Sequence, residues 1–449
     1  MSTPSASDKA HAAGYWQVLL LALPIVLSNL SVPLVGLVDT AVVGRLEDPA
    51  NIGAVALGAV TFSSIFWAFG FLRMGTTGLA AQAWGRQDGQ AIRSLLVKSG
   101  ALVVFFSALL LIGQSAIGIL AISFMGATDT VAELLAEYIR VRIWSAPAVL
   151  ANYLLMGLFI GLQRTGLALV SQLVLNLTNA ALSIVFVLGW GWGVYGVALA
   201  SVVGEVCSLL IGLIMAARLL KPMGGRWRLS DVTDWPGYHA LMSVNLNIFL
   251  RTLCLLFAFA WFARQGTALG ATVLAVNAIL LQFLHLLSYG LDGFAHAAEA
   301  LVGQAVGARS RRALRAAIKT STVWAFFTAL VYALVYAWFG TDIVAILTTI
   351  DTVRMAAHGY LGWIVAIPLI AVWSYQLDGI FVGMLRTAQM RNAMLVSTVI
   401  FVPLAWFASD AGGNHGLWLA LVVFFVLRAI TLAWSLRYGQ PPVSTLVDD

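Results

Sequence analysis

The chain has 449 residues, of which 61% are hydrophobic and only 10% charged, with a formal net charge of +6. A soluble globular chain carries about 25% charged residues, so this composition excludes an aqueous-core domain and indicates an all-α polytopic membrane protein. The excess cations sit in short loops between apolar runs, where they set topology and form no nucleic-acid surface.

The polar start of the chain, residues 1–14, reads as a cytoplasmic tail. The first apolar run, LLLALPIVLSNLSVPLVGLVDTAVVG (19–44), is long enough to cross a bilayer, which needs about 20 apolar residues. It carries one charge, Asp39, and two prolines, Pro24 and Pro33. A carboxylate at membrane depth costs about 2.5–3.5 kcal/mol on insertion scales and normally marks an ion or proton path. Each proline removes a backbone donor and weakens the helix at that point.

Hydropathy and turn residues predict twelve spans: 15–44, 52–80, 92–123, 131–162, 167–189, 193–218, 239–264, 271–303, 313–348, 353–385, 391–409 and 414–437. Arg86, Arg93, Lys98, Arg164, Lys221, Arg226, Arg228, Arg309, Arg311, Arg312, Arg386 and Arg391 fall on one side of this pattern. The acids Glu47, Asp48, Asp129, Asp342, Asp351 and Asp410 fall on the other. The positive-inside rule then puts both termini in the cytoplasm.

The longest polar interruption, within 219–238, divides the chain into an N-lobe (15–218) and a C-lobe (239–437), with a C-terminal tail at 438–449. A repeat crosses this division at an offset of 222 residues. AAQAWG (80–85) lies over VGQAVG (302–307), Tyr138 over Tyr360, and NYLLMGLFIGLQRT (152–165) over SYQLDGIFVGMLRT (374–387). A six-span offset gives the two lobes the same orientation, so the expected fold is two six-helix lobes related by a pseudo-two-fold axis along the membrane normal. Repeats of this kind build transporters with substrate sites between the halves.

Polar residues inside the spans are the candidates for function. Asn179 and Ser183 are four apart and share a helix face; with Ser201, Asp39 and Tyr138 they can form one N-lobe pocket. In the C-lobe, Asp292 and Glu299 are two turns apart, and Arg251 is their expected counter-charge. Asp378 stands where the first half has Met156, which favours a half-specific role. Glu205, Arg73, Arg140 and Arg142 read as span-end residues explained by snorkelling. His285 and His296 have no cysteine or third histidine beside them on their helix, and Cys207 and Cys254 lie within apolar runs, so no metal site or disulfide framework is expected. There is no phosphate-binding loop of the Gly-x-x-x-x-Gly-Lys-Ser/Thr type and no local hydrolytic constellation, so the chain does not read as an ATP-driven pump or an enzyme.

VDTAVVGRL in the first helix, the QAxG loops and the six-plus-six plan resemble the multidrug and toxic compound extrusion (MATE) transporters. YIRVRIWSAPAVLANYLLMGLFIGLQRT (138–165), YGLDGFAHAAEALVGQAVGA (289–308) and LDGIFVGMLRTAQMRNAM (377–394) resemble its DNA-damage-inducible F (DinF) branch. The resemblance implies a secondary active antiporter of a bacterial cytoplasmic membrane, working without a cofactor by alternating access. It would act as a monomer in the lipid bilayer and expel amphipathic cations against inflowing protons or sodium ions. It also implies that Asp39 is the coupling carboxylate, that its protonation is tied to bending at Pro24, and that Tyr138, Asn179 and Ser201 are its polar partners. Arg251, Asp292, Glu299 and Asp378 match C-lobe polar positions. Ser183 departs from the pattern, because the family usually has Asp there; the loss of one acid favours protons over sodium. A flippase of lipids or lipid-linked sugars is the rival of a different class. It requires a cationic cavity, whereas the central ionisable residues here are mostly acidic.

Overall fold

The structure, a computed structural model, describes residues 14–46, 48–126 and 129–438. The expected N-terminal tail up to residue 13, the acid Glu47 and the C-terminal tail beyond Tyr438 lie outside the described residues. Those described are helical, with no β-strand among them. The first half contains α1 (Tyr15–Val43), α2 (Pro49–Ala68), α3 (Phe71–Gly85), α4 (Gly89–Ile112), α5 (Gln114–Met125), α6 (Asp129–Arg142), α7 (Ala146–Gly161), α8 (Thr165–Ser183) and α9 (Gly193–Leu220). The second contains α10 (Trp235–Ala268), α11 (Ala271–Gly307), α12 (Arg311–Leu347), α13 (Asp351–His358), α14 (Leu361–Gly383) and α15 (Thr387–Tyr438).

Breaks within spans account for the excess of helices over membrane crossings. The chain interrupts itself at Phe69–Gly70 between α2 and α3, at Gly113 between α4 and α5, and over Ile143–Ser145 ahead of Pro147 between α6 and α7. Eleven described segments are long and apolar enough to cross a membrane. One of them, α15, has 52 residues. As a single helix it would run about 78 Å, more than twice a hydrocarbon core of about 30 Å. It breaks at Gly413, whose φ of 55° and ψ of −138° suit only glycine. Counting α15 as two gives the twelve crossings expected from hydropathy.

By contacts the described chain forms two compact units: residues up to Val26 together with those from Met242 onward, and Leu27–Leu241. The sequence expectation placed all of 15–218 in one lobe, but α1 is divided just beyond Pro24. Val18, Leu21 and Ala22 are buried with Leu255, Ala258, Leu287 and Leu291 in the core of the C-terminal unit. Glycine makes this possible: a methyl group at Gly293 would overlap Val26 and crowd the Ala22 carbonyl.

The 222-residue repeat is a repeat of backbone contacts as well as of sequence. In α7, a Cβ at Gly157 or Gly161 would overlap the carbonyl oxygens of Arg73 and Thr77 on α3. In α14, a Cβ at Gly379 or Gly383 would overlap those of Ala295 and Glu299 on α11. Each glycine and each carbonyl in the second set lies 222 residues beyond its counterpart. The tight turns follow the same rule: Gln87 and Arg309 share φ of 57° and 58°, and Gln163 and Leu385 share 57° and 56°. Asp88 caps α4 by accepting from Ala91 N at 2.9 Å, and Ser310 caps α12 by accepting from Ala313 N at 3.2 Å.

The segment after α9 is docked on α4. Gln90 donates to Arg226 O at 3.1 Å and accepts from Arg226 N at 2.9 Å. Arg93 donates to Leu220 O at 2.7 Å and also to Gly224 O. Lys98 Nζ lies 2.5 Å from Asp234 Oδ2, and this hydrogen bond holds the Asp234 carboxyl below the usual carboxylate range.

Overpacking at such close contacts typically costs about 1–3 kcal/mol and rises where backbone opposes the new atoms. Gly379→Leu and Gly157→Leu are therefore both expected to lower the detergent melting temperature and the folded yield, read by fluorescence-detected gel filtration. Gly166→Leu, at a position with open space, is the control that should melt like the parent.

Candidate functional site

Within Leu27–Leu241 the polar residues singled out in the sequence converge. Ser183 Oγ donates to Asp39 Oδ1 at 2.7 Å. One turn back along α8, Asn179 Nδ2 donates to Ser201 Oγ of α9 at 2.8 Å. Asn176, nearly a further turn back, donates to Ser31 Oγ of α1 at 2.6 Å. The side of α8 that carries Asn176, Asn179 and Ser183 is thus the surface on which α1 and α9 are joined. Ser183 is the last α-helical residue; a π-helical stretch, Ile184–Gly189, follows and is closed by Trp190 N donating to Val185 O at 3.0 Å. Such stretches recur at functional sites.

A cavity of about 120 Å³ opens beside Asp39, lined among others by Thr40, Ile52, Val55, Ala56 and Tyr138. At about 30 Å³ of liquid volume per water it has room for a few waters; ordinary ligand pockets are about 300–1,000 Å³. Gly58 on α2 admits the Tyr138 ring, since a Cβ there would overlap it. Asn179, Ser183, Ser201 and Tyr138 are all buried, and Asp39 is half-buried. Asn179 Oδ1 has no hydrogen-bond partner among the described residues. Pro24 lies outside this cluster, fifteen residues before Asp39 in α1, which runs through it as one helix.

A second acid belongs to the same unit. Glu205 is buried, accepts from Asn152 Nδ2 at 2.8 Å, and has Arg142 Nη2 at 3.8 Å. Snorkelling does not explain Glu205 and Arg142: each lies twelve residues into its span, about 18 Å from the span's end. Arg140, by contrast, is exposed, and Arg73 is half-buried. The signal in the sequence was the isolated acid in VVGEVCSLL, read as a span-end residue because burial cannot be seen in one strand of text.

In the C-terminal unit Arg251 pairs with Asp378, a partner the sequence reading did not give it; Asp292 or Glu299 was expected. Asp378 Oδ2 also accepts from Arg428 Nη2 at 2.7 Å, so one carboxylate is held by two guanidiniums. Arg428 was missed although it stands alone among apolar residues in LVVFFVLRAITLAW (421–434); it is buried against Phe424 and Phe425. At the repeat offset, Arg251, Asp378 and Arg428 correspond to Asn29, Met156 and Val206, so the three charges occur together in one half and are replaced together in the other. Glu299 is buried with His296 Nδ1 at 3.0 Å from its Oε2. Asp292 acts electrostatically on Tyr289 and Tyr375, and Tyr375 Oη lies 2.5 Å from Ser288 Oγ. Arg251 and Asp378 thus belong to one ion cluster, and Glu299 has His296 beside it. His285 is part of neither arrangement.

A twin-unit helical membrane protein with buried ionic clusters in each half is the plan of a transporter. The MatE family model matches residues 24–185 and again 247–407. The chain is 40% identical to DNA damage-inducible protein F of Escherichia coli (strain K12) over 442 residues, covering 96% of this chain and 93% of that protein. It is 28% identical to a probable multidrug resistance protein NorM of Rhizobium meliloti (strain 1021), covering 95% and 94%. A crystal structure of MATE in the bent conformation superposes with a TM-score of 0.87 at 20% identity, covering 97% of this chain and 98% of that one. The chain belongs to the MatE family of multi-pass membrane transporters, which are not enzymes.

Removing a partner from a buried ion pair typically costs about 3–5 kcal/mol. Asp378→Asn strands two guanidiniums, whereas Arg251→Met leaves the Asp378–Arg428 pair intact. Asp378→Asn is expected to show the larger fall in detergent melting temperature; equal melting of the two variants would mean that Asp378 does not serve both arginines.

Proposed function

We propose that this protein is a secondary active multidrug exporter that expels amphipathic cations in exchange for protons, with Asp39 as the coupling carboxylate. The observation that carries the reading is the hydrogen bond from Ser183 to Asp39 beside a cavity with room for a few waters that Tyr138 also lines. The cavity suits a proton and its waters, and the hydroxyl of Ser183 can accept from a neutral carboxyl as well as donate to an ionised one. Tyr138, Asn179 and Ser201 hold the pocket's shape through the two protonation states.

Export follows from alternating access. A proton enters Asp39 from the outer face and leaves on the cytoplasmic side, and the cationic substrate occupies the transporter when Asp39 is ionised. Pro24 is the bending point of α1, since it leaves a carbonyl one turn back without its amide partner. The relative from Rhizobium meliloti carries a name that speaks of multidrug resistance, which supports the substrate class. Asp292 and Glu299 are the C-lobe carboxylates assigned to substrate, and the Arg251–Asp378–Arg428 group is assigned to the scaffold. The proposed setting is a bacterial cytoplasmic membrane with both termini inside, and the proposed working unit is a monomer.

Sodium coupling is the second reading, and the unpaired Asn179 Oδ1 favours it, because sodium seeks a cluster of oxygens. Against it stands Ser183 in place of a second acid.

Asp39→Asn is expected to reduce pH-driven dye export from proteoliposomes to the level of empty liposomes while leaving the detergent melting temperature near the parent value. Wild-type protein should export under a pH gradient without sodium and fail under a sodium gradient with the pH gradient collapsed. Robust sodium-driven export would defeat the proton reading. Ser183→Asp restores a second acid and should introduce sodium dependence in the same assay.

A further inference from the structure

Arg142, the last residue of α6, has a use beyond pairing with Glu205. Its Nη1 donates to Ser145 Oγ and its Nη2 lies 3.8 Å from Glu205 Oε1. Phe62 and Phe66 of α2 cover it, with the guanidinium carbon 5.7 and 5.5 Å from their ring centres. Its charge also acts on Asp39 and on Tyr138. Tyr153 of α7 and Arg73 of α3 are further ionisable groups facing this set among the described residues. Glu205 is fixed from its far side by Asn152 of α7, through both its carboxylate and its backbone carbonyl. Phe62, over which the guanidinium lies, has its ring centre 6.1 Å from that of Tyr138, which lines the cavity beside Asp39, so one cation sits in the network joining carboxylates of α1 and α9. Its 3.8 Å separation from Glu205 is looser than the roughly 2.7–2.9 Å of a charge-assisted hydrogen bond.

We infer that Arg142 is a shared counter-ion of Asp39 and Glu205, a positioning residue that sets the pH range over which Asp39 exchanges its proton and draws α6 toward α9 when Asp39 is neutral. This rests on the reading of Asp39 as the coupling carboxylate. While Asp39 is ionised, the guanidinium is held between two anions. When Asp39 takes up a proton, that attraction ends and Arg142 closes on Glu205. The proton goes on and off Asp39 alone. A change of one proton at α1 thereby becomes a change of contact between α6 and α9. A static ion pair would join the same helices without responding to Asp39.

The test is substrate-induced proton release. Purified protein in weakly buffered detergent is mixed with ethidium, an aromatic cation, across a pH series, and released protons are read with a pH indicator. Glu205→Gln leaves Arg142 to serve Asp39 alone, so the midpoint of release should move down by about one pH unit. Arg142→Gln removes the cation, so the midpoint should move up by a similar amount, and Arg142→Lys should restore most of the shift. Glu205→Gln is nearly isosteric and retains an acceptor for Asn152, so it carries the test if Arg142→Gln does not fold. A parent-like midpoint in Glu205→Gln, or shifts of the same sign in the glutamine variants, overturns the inference. Asp39→Asn separates the two readings. Proton release that persists in Asp39→Asn removes the coupling role of Asp39 and the inference with it. Release lost in Asp39→Asn but unshifted in Glu205→Gln removes only the role of Arg142.

Discussion

An ionised side chain inside a bilayer must find its opposite charge within the protein, because no water is there to replace it. This requirement organises both halves of the molecule. In the N-terminal unit, Glu205 is met by Arg142 and Asn152 from separate helices. In the C-terminal unit, Asp378 is met by Arg251 of α10 and Arg428 of α15. Each cluster ties together helices that have only weak reason to associate otherwise, since lipid tails are as apolar as leucine. Asp39 differs in having no ion pair of its own among the described residues, and this gives the requirement functional meaning. Its direct partner is a neutral hydroxyl, so it can be neutralised by a proton without stranding a tightly paired cation.

Close backbone contact is the complementary constraint. The α7–α3 and α14–α11 pairs approach so nearly that their contact positions must be glycine, and they do so at residues related by 222 positions. The duplicated architecture therefore conserves the steric frame. The charges are not duplicated: Arg251, Asp378 and Arg428 face Asn29, Met156 and Val206 at the same offset, and Glu205 and Arg142 face Leu427 and Ile364. The frame is common to both halves while the electrostatics differ, which gives each half its own chemistry on one scaffold.

Sequence and structure agree where the signal is long and one-dimensional. Apolar runs of bilayer length, punctuated by Gly, Pro and basic loops, identified the spans, because a membrane helix must satisfy its own backbone and cover it with apolar side chains. Asp39, Asn179 and Ser183 were legible for the same reason: a polar residue in such a run has few places to go. The pairing of charges was not legible. Arg251 was matched to the acids of α11 because two acids on one helix face look like a target, yet α14 brings Asp378 to it instead. Arg142 and Glu205 read as span-end residues, and Arg428 drew no notice, because exposure depends on neighbours distant in the chain.

The sequence by itself determined the membrane class, the number of crossings, the twin repeat and the family resemblance, since each is written in local composition or in motifs of fixed spacing. Only the tertiary structure decided which helices share α1, where the units divide, and which cation neutralises which acid. Those outcomes depend on side chains far apart in the chain meeting at ångström range: Asp39 and Ser183 are 144 apart, Arg251 and Asp378 are 127 apart, and Arg428 and Asp378 are 50 apart. No periodicity of a single helix encodes such a distance, because it is fixed by how the helices pack against one another.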